Sequence, residues 1–201
     1  MPKIVDHDDR RRELAEAAWR VILRSGIDGA TTREIARESG YSPGVLTHYF
    51  DSKDDILRAV LELSHTTILR RWDDILATHE GTPTLRTFLL ESIPLEQRHA
   101  DETHIEISFW SRALVNDDLR SIQRAESKRF GEILRSLVCQ AQENGDLDAA
   151  AGTDDIIELL SAVIDGLSVH ALLHPGRYDA ARLTKLMDAQ LDLWRPGTSA
   201  P

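Results

Sequence analysis

The chain has 201 residues, of which 41% are apolar and 29% charged, as is typical of a globular protein of one or two domains. Its single cysteine, Cys139, excludes a disulfide-stabilised fold, and neither a secretory signal nor an apolar run of about 20 residues is recognisable. Residues 1–60 hold 10 Lys and Arg against 11 Asp and Glu, whereas the remainder holds 14 against 23, so the acidic excess follows the N-terminal segment. We therefore expect a cytoplasmic protein without membrane contact.

The N-terminal segment predicts three helices that meet in a tight corner. The first covers residues 8–25 and ends before a glycine. A second covers residues 31–39 and ends at Gly40, because glycine tolerates the left-handed backbone of a tight turn. Ser42 and Pro43 stand in the order of an N-cap and a first helical residue, so they predict the start of a third, short helix.

Apolar residues at helical spacing continue along the rest of the chain, and strand signals are almost absent. A fourth helix, from residue 52 to about 77, is expected to link two domains. Further helices are predicted at 83–98, 103–115, 117–144, 153–173 and 179–194. The predicted fold is all-α with about nine helices. Its expected parts are an N-terminal domain over 1–51 with a helix-turn-helix at 31–50, a larger helical domain over 52–195 and a disordered tail over 196–201.

The short third helix, PGVLTHY, has two different faces on a helical wheel. The apolar face, which can dock on the two preceding helices, consists of Val45, Leu46, Tyr49 and Phe50. The opposite face, which is small and polar and can approach a surface closely, consists of Pro43, Gly44, Thr47 and His48. This arrangement suits both a DNA-reading helix-turn-helix and an ordinary structural corner, and the spacing alone leaves both open.

Residues around this corner are the candidates for DNA contact. Hydroxyl groups and free N–H groups at helix starts favour phosphate oxygens, while the small face of the third helix would meet base edges. The candidates are Thr31, Thr32, Arg33, Ser42, Pro43, Gly44, Thr47, His48, Tyr49 and Lys53. Arg10, Arg11 and Arg12 form a basic segment that could reach a phosphate or a minor groove.

The stretch TTREIARESGYSPGVLTHYFDSKDDIL (31–57) resembles the DNA-binding motif of the TetR family of transcriptional regulators. The residues that carry this resemblance in one register are Thr32, Ile35, Ala36, Gly40, Ser42, Leu46, Tyr49, Phe50, Lys53 and Leu57. The segments FWSRALVNDDLRSIQRAESKRFGEIL (109–134) and VIDGLSVHALLHPGRYD (163–179) are similar to helices of the BetI-like branch. Thr47 stands where many members of the family have Tyr.

The resemblance implies a homodimer that binds a double-stranded DNA operator through one small domain per subunit. The larger domain would dimerise and enclose a pocket for a small-molecule effector whose identity is unknown. The expected function is that of a repressor, released from a pseudo-palindromic operator when the effector binds. Its two recognition helices would enter successive major grooves about 34 Å apart.

Two further surfaces are expected in the larger domain. Helices 153–173 and 179–194 are apolar enough to form a two-fold dimer interface, although the same residues could serve as core within one subunit. The expected interface residues are Ile164, Leu167, Val169, Leu186, Ala189 and Leu193. An effector pocket needs apolar walls and a few polar anchors, and each aromatic residue alone suits a core equally well. The pocket candidates are Trp72, Phe88, His104, Glu106, Phe109 and Trp110.

Metal binding and catalysis have weaker support in the sequence. His170 and His174 have the i, i+4 spacing of a zinc pair, and a second grouping contains His99, Asp101, Glu102, His104 and Glu106, but neither completes a ligand pattern. We expect no metal and no cofactor. Cys139, expected to be a buried structural thiol, has no adjacent base, and no nucleotide-binding or nucleophile motif is present, so an enzyme is not expected. The alternative is a helical dimeric small-molecule-binding or interaction protein whose corner is only structural.

Overall fold

The computed structural model describes residues 7–78 and 82–197, so the expected break at 78–83 and tail at 196–201 lie partly outside the described residues. Within these ranges the regular elements are nine helices and no strand, as the all-α prediction requires. The helices are α1 (His7–Gly29), α2 (Thr32–Ser39), α3 (Pro43–Tyr49), α4 (Lys53–Thr78), α5 (Thr82–Glu91), α6 (Gln97–Ala113), α7 (Asp117–Glu143), α8 (Thr153–Leu173) and α9 (Ala180–Asp192).

The chain forms two compact units. The first contains the chain up to Ile68 together with His104–Ile122, and the second contains Leu69–Thr103 together with the chain from Gln123 onward. Helices α4, α6 and α7 therefore contribute residues to both units.

Local signals set the helix ends in the first unit. Gly26 has a φ of 70°, which breaks α1 where the sequence predicts its end, and a further turn follows. Thr31 is the N-cap of α2, where its hydroxyl oxygen accepts a hydrogen bond from the N–H of Glu34 at 3.2 Å. Gly40 ends α2 in the left-handed conformation with a φ of 75°. Pro43 opens α3, where its missing N–H costs nothing.

The core of the first unit holds α3 by its predicted apolar face. Leu46 and Phe50 are buried, while Val45 and Tyr49 pack partly against the same cluster. Its other buried members include Leu14, Ala17, Ala18, Val21, Ile22, Ile35, Ala36, Leu57, Leu61, Ile105 and Phe109. Because Leu46 is fully buried, shortening it to alanine is expected to cost about 2–5 kcal/mol of folding free energy. The prediction of a docked short helix is confirmed.

Two predicted helices have wrong boundaries. The helix predicted at 83–98 ends at Glu91, and the helix predicted at 103–115 already begins at Gln97. Pro94 explains both differences, because it has no N–H to donate and disfavours the α conformation of the preceding residue, Ile93. Ile93 is fully buried, so the turn between α5 and α6 is anchored in the second unit.

Helix α8 is strongly apolar, although much of it is not buried within the chain. Thr153–Leu173 is long enough to cross a membrane by length and composition, with a mean hydropathy of 1.8 in an 18-residue window, of which only 28% is buried. One helix of this kind does not indicate a membrane span, because core helices of globular proteins pass the same test and Asp154, Asp155, Glu158 and Asp165 interrupt its apolar residues. The inward face carries Ile156, Ile157, Leu160, Ile164, Ser168 and Ala171. The face left outward by these positions carries Leu159, Ala162, Gly166, Val169 and Leu173.

Candidate DNA-binding surface and ligand site

The outward face of α3 is exposed and carries no large aliphatic side chain. Its residues are Pro43, Gly44, Thr47 and His48. A Cβ atom added at Gly44 would meet nothing closer than the Ser42 Oγ atom, at 3.8 Å, which is an ordinary contact. The fold of the subunit therefore does not require a glycine at this position. What the glycine provides is a flat helix surface that another molecule can approach closely.

The polar groups of this face have defined orientations. The Thr47 hydroxyl donates to the carbonyl oxygen of Gly44 at 3.0 Å, so its proton is engaged and its oxygen remains able to accept. The Tyr49 ring clusters with two imidazoles: its centroid lies 4.5 Å from that of His7 and 5.2 Å from that of His48, and the two imidazole centroids are 6.3 Å apart. These contacts hold the Tyr49 ring at the edge of the exposed face.

Potential phosphate ligands flank α3. Thr31, Thr32 and Arg33 are exposed at the start of α2, and Arg33 forms no ion pair with any residue that the structure describes. Lys53 donates to the carbonyl oxygen of Asp28 at 3.4 Å. Ser42 lies at the N-cap position of α3 but makes no capping hydrogen bond with its side chain, contrary to expectation.

The arginines at the start of α1 are engaged within the subunit. Arg10 pairs with Glu13 at 2.8 Å and Arg12 with Glu16 at 3.1 Å. Arg11 reaches Asp55 at 2.7 Å. The expected basic segment is therefore largely neutralised.

Asp55 anchors this end of α4 to α1. Burial alone would raise its pKa, but hydrogen bonds from Arg58 and Arg11 outweigh burial, and the net effect is a pKa below the usual range. The Asp55 carboxylate thus stays ionised and keeps both guanidinium groups in place.

Four of the expected pocket residues belong to the first unit. Phe109 is fully buried in the core and Trp110 is 37% exposed. His104 is exposed, whereas Glu106 is half-buried, with its Oε1 atom 2.8 Å from Nε2 of buried His65. Phe109 therefore acts as core, as the alternative interpretation of the aromatic residues allows.

The other two pocket candidates meet in the second unit. The rings of Trp72 and Phe88 have centroids 5.2 Å apart, and Phe130 joins them at 5.5 Å from Trp72 and 5.4 Å from Phe88. We call these three residues the aromatic trio. Phe130 was not among the expected residues, although it lies one turn before the buried Leu134 on α7 and could have been found from that spacing.

A buried ionic group also lies in the second unit. Arg71 donates to both carboxylate oxygens of Glu102, each at 2.6 Å, and its Nε atom lies 3.5 Å from Glu91. The Nε2 atom of His99 is 3.1 Å from Glu91. Burial is the main cause of a lowered pKa of His99; Arg71 and Arg98 act in the same direction and Glu91 opposes them. The two carboxylates of this group, Glu91 and Glu102, are thus balanced by the guanidinium groups of Arg71 and Arg98.

The histidine groupings have other roles. His99 and Glu102 belong to the ionic group just described. The rings of His170 and His174 stack with centroids 6.1 Å apart at the end of α8. Within residues 7–78 and 82–197, no three His, Cys, Asp or Glu side chains come together in a group that could hold a metal ion. Cys139 is half-buried, not fully buried as expected.

The expected interface residues on α8 and α9 differ in exposure. Ile164 is buried in its own subunit, which corrects its assignment to the interface, while Leu167 and Val169 are half-buried. On α9, Ala189 is exposed and Leu186 is half-buried, and Leu193, the C-cap residue that follows α9, is 44% exposed. The α9 residues thus form an outward stripe, opposite the buried Leu183, Met187 and Leu191.

Comparison with known proteins agrees with this arrangement. Residues 14–60 match the model of bacterial regulatory proteins of the tetR family, and residues 82–194 match that of the C-terminal domain of BetI-type transcriptional repressors. The HTH-type transcriptional regulator PksA of Bacillus subtilis is 34% identical over 93% of this chain and 90% of its own length. BetI of Burkholderia lata is 28% identical over 96% and 97%.

A solved structure shows the same fold. A transcriptional regulator from Saccharomonospora viridis, crystallised in complex with choline, superposes with a TM-score of 0.87 over 92% of this chain and 96% of that chain, at 23% identity. The family models and the PksA relationship together show that the chain belongs to the TetR family of bacterial transcriptional regulators, with C-terminal helices of the BetI type.

Proposed function

We propose that the protein is a dimeric cytoplasmic repressor that binds a pseudo-palindromic operator through α3 and leaves it when a small molecule binds the larger domain. The observation that carries this proposal is the exposed, small and polar face of α3, opposite a fully buried Leu46. A helix with such a face can lie in the major groove, where base edges differ in their donors and acceptors.

The proposed contacts with DNA are of two kinds, those to base edges and those to phosphates. Thr47 and His48 are proposed to meet base edges, and Pro43 and Gly44 allow the helix to come close enough. The groups proposed to hold phosphates and to set the register are Thr31, Thr32, Arg33, Ser42, Tyr49 and Lys53. With few cations available, affinity for random DNA should be low.

A second copy of the chain is proposed to cover the outward faces of α8 and α9. Gly166 lies in the middle of α8, and a Cβ atom added there would meet nothing within 4 Å, so the subunit itself does not need this glycine. A close crossing of two α8 helices would use it. Burial against a partner also accounts for the high hydropathy of α8 without a membrane.

The effector response follows from linkage. A ligand that binds the larger domain can release DNA only if it binds more tightly to the dimer whose two α3 helices do not fit successive grooves. The proposed division of labour is DNA binding by residues 1–51 and effector binding with dimerisation by residues 52–195.

The test uses the full-length protein and the DNA upstream of its own gene. Sedimentation should give twice the 22.6 kDa subunit mass, and fluorescence anisotropy should show preference for this DNA over a scrambled duplex. The logarithm of the affinity should fall linearly with the logarithm of salt concentration. A dimer that binds both duplexes equally or not at all would instead support the alternative, a ligand-binding protein with a structural corner.

A further inference from the structure

Several buried polar atoms of the second unit have no hydrogen-bond partner among the residues that the structure describes, and two of them belong to the aromatic trio or to the face of α5 that carries Phe88. These two are the indole N–H of Trp72, which is 5% exposed, and the hydroxyl of Thr84, which is 2% exposed. Buried donors are almost always paired in folded proteins, because an unpaired one has lost its water without replacement. Each such group therefore needs an explanation.

Thr84 differs from other hydroxyl residues on the helices of this chain. Thr66, Ser92 and Ser161 each donate to the carbonyl oxygen four residues earlier, at 2.7–2.8 Å. Thr84 is the third residue of α5, so this helix has no carbonyl three or four residues earlier that could accept from its hydroxyl. Its side chain is buried on the same face as Phe88, one turn further along.

The aromatic trio provides an apolar wall on the helices that carry these two groups. The Trp72 ring contacts both Phe88 and Phe130, and Phe88 lies one turn after Thr84 on α5. The charged neighbours of Trp72 along the chain are already paired, Arg71 with Glu102 and Asp73 with Arg129. These two charges therefore require no charged ligand to balance them.

We infer that the aromatic trio is the wall of the effector site, and that the effector is an uncharged, mainly apolar molecule with a carbonyl-type oxygen. The Trp72 N–H donates to that oxygen, and the Thr84 hydroxyl bonds to the same or a second polar atom. Because the three rings touch one another, the trio opens when the apolar body of the ligand enters. The inference rests on the proposed ligand response and names the chemistry of its site.

The experiment compares probes that differ only in the oxygen. Prodan, an uncharged fluorescent naphthalene ketone, reports binding to the full-length protein, and acetylnaphthalene and ethylnaphthalene compete for its site. Acetylnaphthalene should displace prodan roughly tenfold better than ethylnaphthalene, the difference expected for one buried hydrogen bond. Trp72→Phe should remove most of this preference, and Thr84→Val should reduce it.

Two controls separate binding from stability. Thr84→Val replaces an unpaired buried hydroxyl by a methyl group of the same size, so its Tm without ligand should equal that of the wild type or rise. Trp72→Phe also removes buried ring volume, so its Tm should fall, and its probe preference is measured at a temperature where the variant is folded. The matched control is Trp194→Phe, because the indole N–H of Trp194 is also buried without a partner but follows α9 and is not part of the aromatic trio, so its loss should leave the preference unchanged.

Three results would overturn the inference. They are prodan binding that does not saturate, an acetyl preference that survives in both Trp72→Phe and Thr84→Val, and an equal loss of preference in Trp194→Phe. Operator binding is measured on the same samples. If it persists while the probe result fails, the proposed repressor stands and only the effector chemistry is wrong.

Discussion

Gly44 lies in the first turn of α3, where a glycine weakens the helix. A glycine in a helix costs about 0.5–1 kcal/mol relative to alanine, and the space around Gly44 would accept a methyl group. The subunit would therefore be more stable with alanine at this position. Because no packing within the chain requires Gly44, we explain this glycine by the close approach of another molecule to α3.

Gly44→Ala is expected to have opposite effects on folding and on DNA binding. The free energy of unfolding, measured by urea denaturation, should rise by about 0.5–1 kcal/mol. Operator affinity should fall roughly fivefold or more, because the new methyl group stands between the helix and the bases. An alanine variant that binds the operator as well as the wild type would contradict the placement of this face in the groove.

Substitutions of base-reading residues and of phosphate-holding residues should have different effects on DNA affinity and sequence preference. Thr47→Ala and His48→Ala should relax sequence preference, with losses of about 1–3 kcal/mol on the operator and little on random DNA. Lys53→Ala should weaken binding on all sequences alike and lower the salt slope by about one. Binding curves on operator and scrambled duplexes check this. Uniform losses from all three variants would refute the division.

The residue-level predictions held where the determining contacts are local. Thr31 and Gly40 act within one turn of their own helix, so their roles as caps were visible in the sequence. Arg10 and Arg12 also pair locally, at i+3 and i+4, and their neutralisation could have been recognised from spacing. Arg11 pairs with Asp55, 44 residues away, and only the tertiary structure shows it.

At the scale of elements, the connection between α6 and α7 is tied to the start of α4. Asn116 accepts the N–H of Leu119 with its Oδ1 atom and donates from its Nδ2 atom to Asp54, both at 3.1 Å. Arg112 lies 3.5 Å from both Asp54 and Asp28. All these residues belong to the first unit, and α6 and α7 continue into the second.

Asn116→Asp tests this link. The new carboxylate can still cap α7, but it faces Asp54 with a like charge and no donor, so the unfolding free energy should fall by about 1 kcal/mol. Asp54→Asn in the same chain should restore most of the loss. Urea denaturation of the four proteins gives the coupling energy. Additive losses would show that the two side chains do not interact.

The buried His99 predicts a pH dependence. Its folded-state pKa lies below the ordinary value of 6.5, mainly because of burial, so the unfolded chain takes up the proton first. The free energy of unfolding is therefore highest above pH 6.5, where the ring is neutral in both states, and it decreases as the pH falls below 6.5. Glu91 and Glu102 favour the charged ring, and Arg71 and Arg98 oppose it.

The measurement is the unfolding free energy of the wild type and of His99→Gln between pH 8 and pH 5. The wild type should lose stability relative to the variant as the pH falls below about 6.5. The variant is the control for all other titrating groups. Parallel curves would mean that His99 has no shifted pKa.

At the scale of the whole molecule, helical periodicity and the N-terminal motif were sufficient for the fold class. The predicted boundaries are wrong at the turn after α5, because apolar spacing continues through this segment whereas Pro94 ends the helix. The spacing to Leu134 could have placed Phe130 on the inward face of α7, but its contacts with Trp72 on α4 and Phe88 on α5 are visible only in the tertiary structure. Ile164 was misplaced because α8 is apolar on both faces, and only packing distinguishes them.

If α3 of each subunit of a dimer reads one half of an inverted repeat, the protein should select that repeat from random DNA. The experiment is selection from a random pool by the full-length protein at low salt. The predicted result is enrichment of two inverted half-sites, with centres about one helical turn or a multiple of it apart, and a weaker consensus for Thr47→Ala. Selection that enriches no sequence, or a single site without a repeat, would contradict the account.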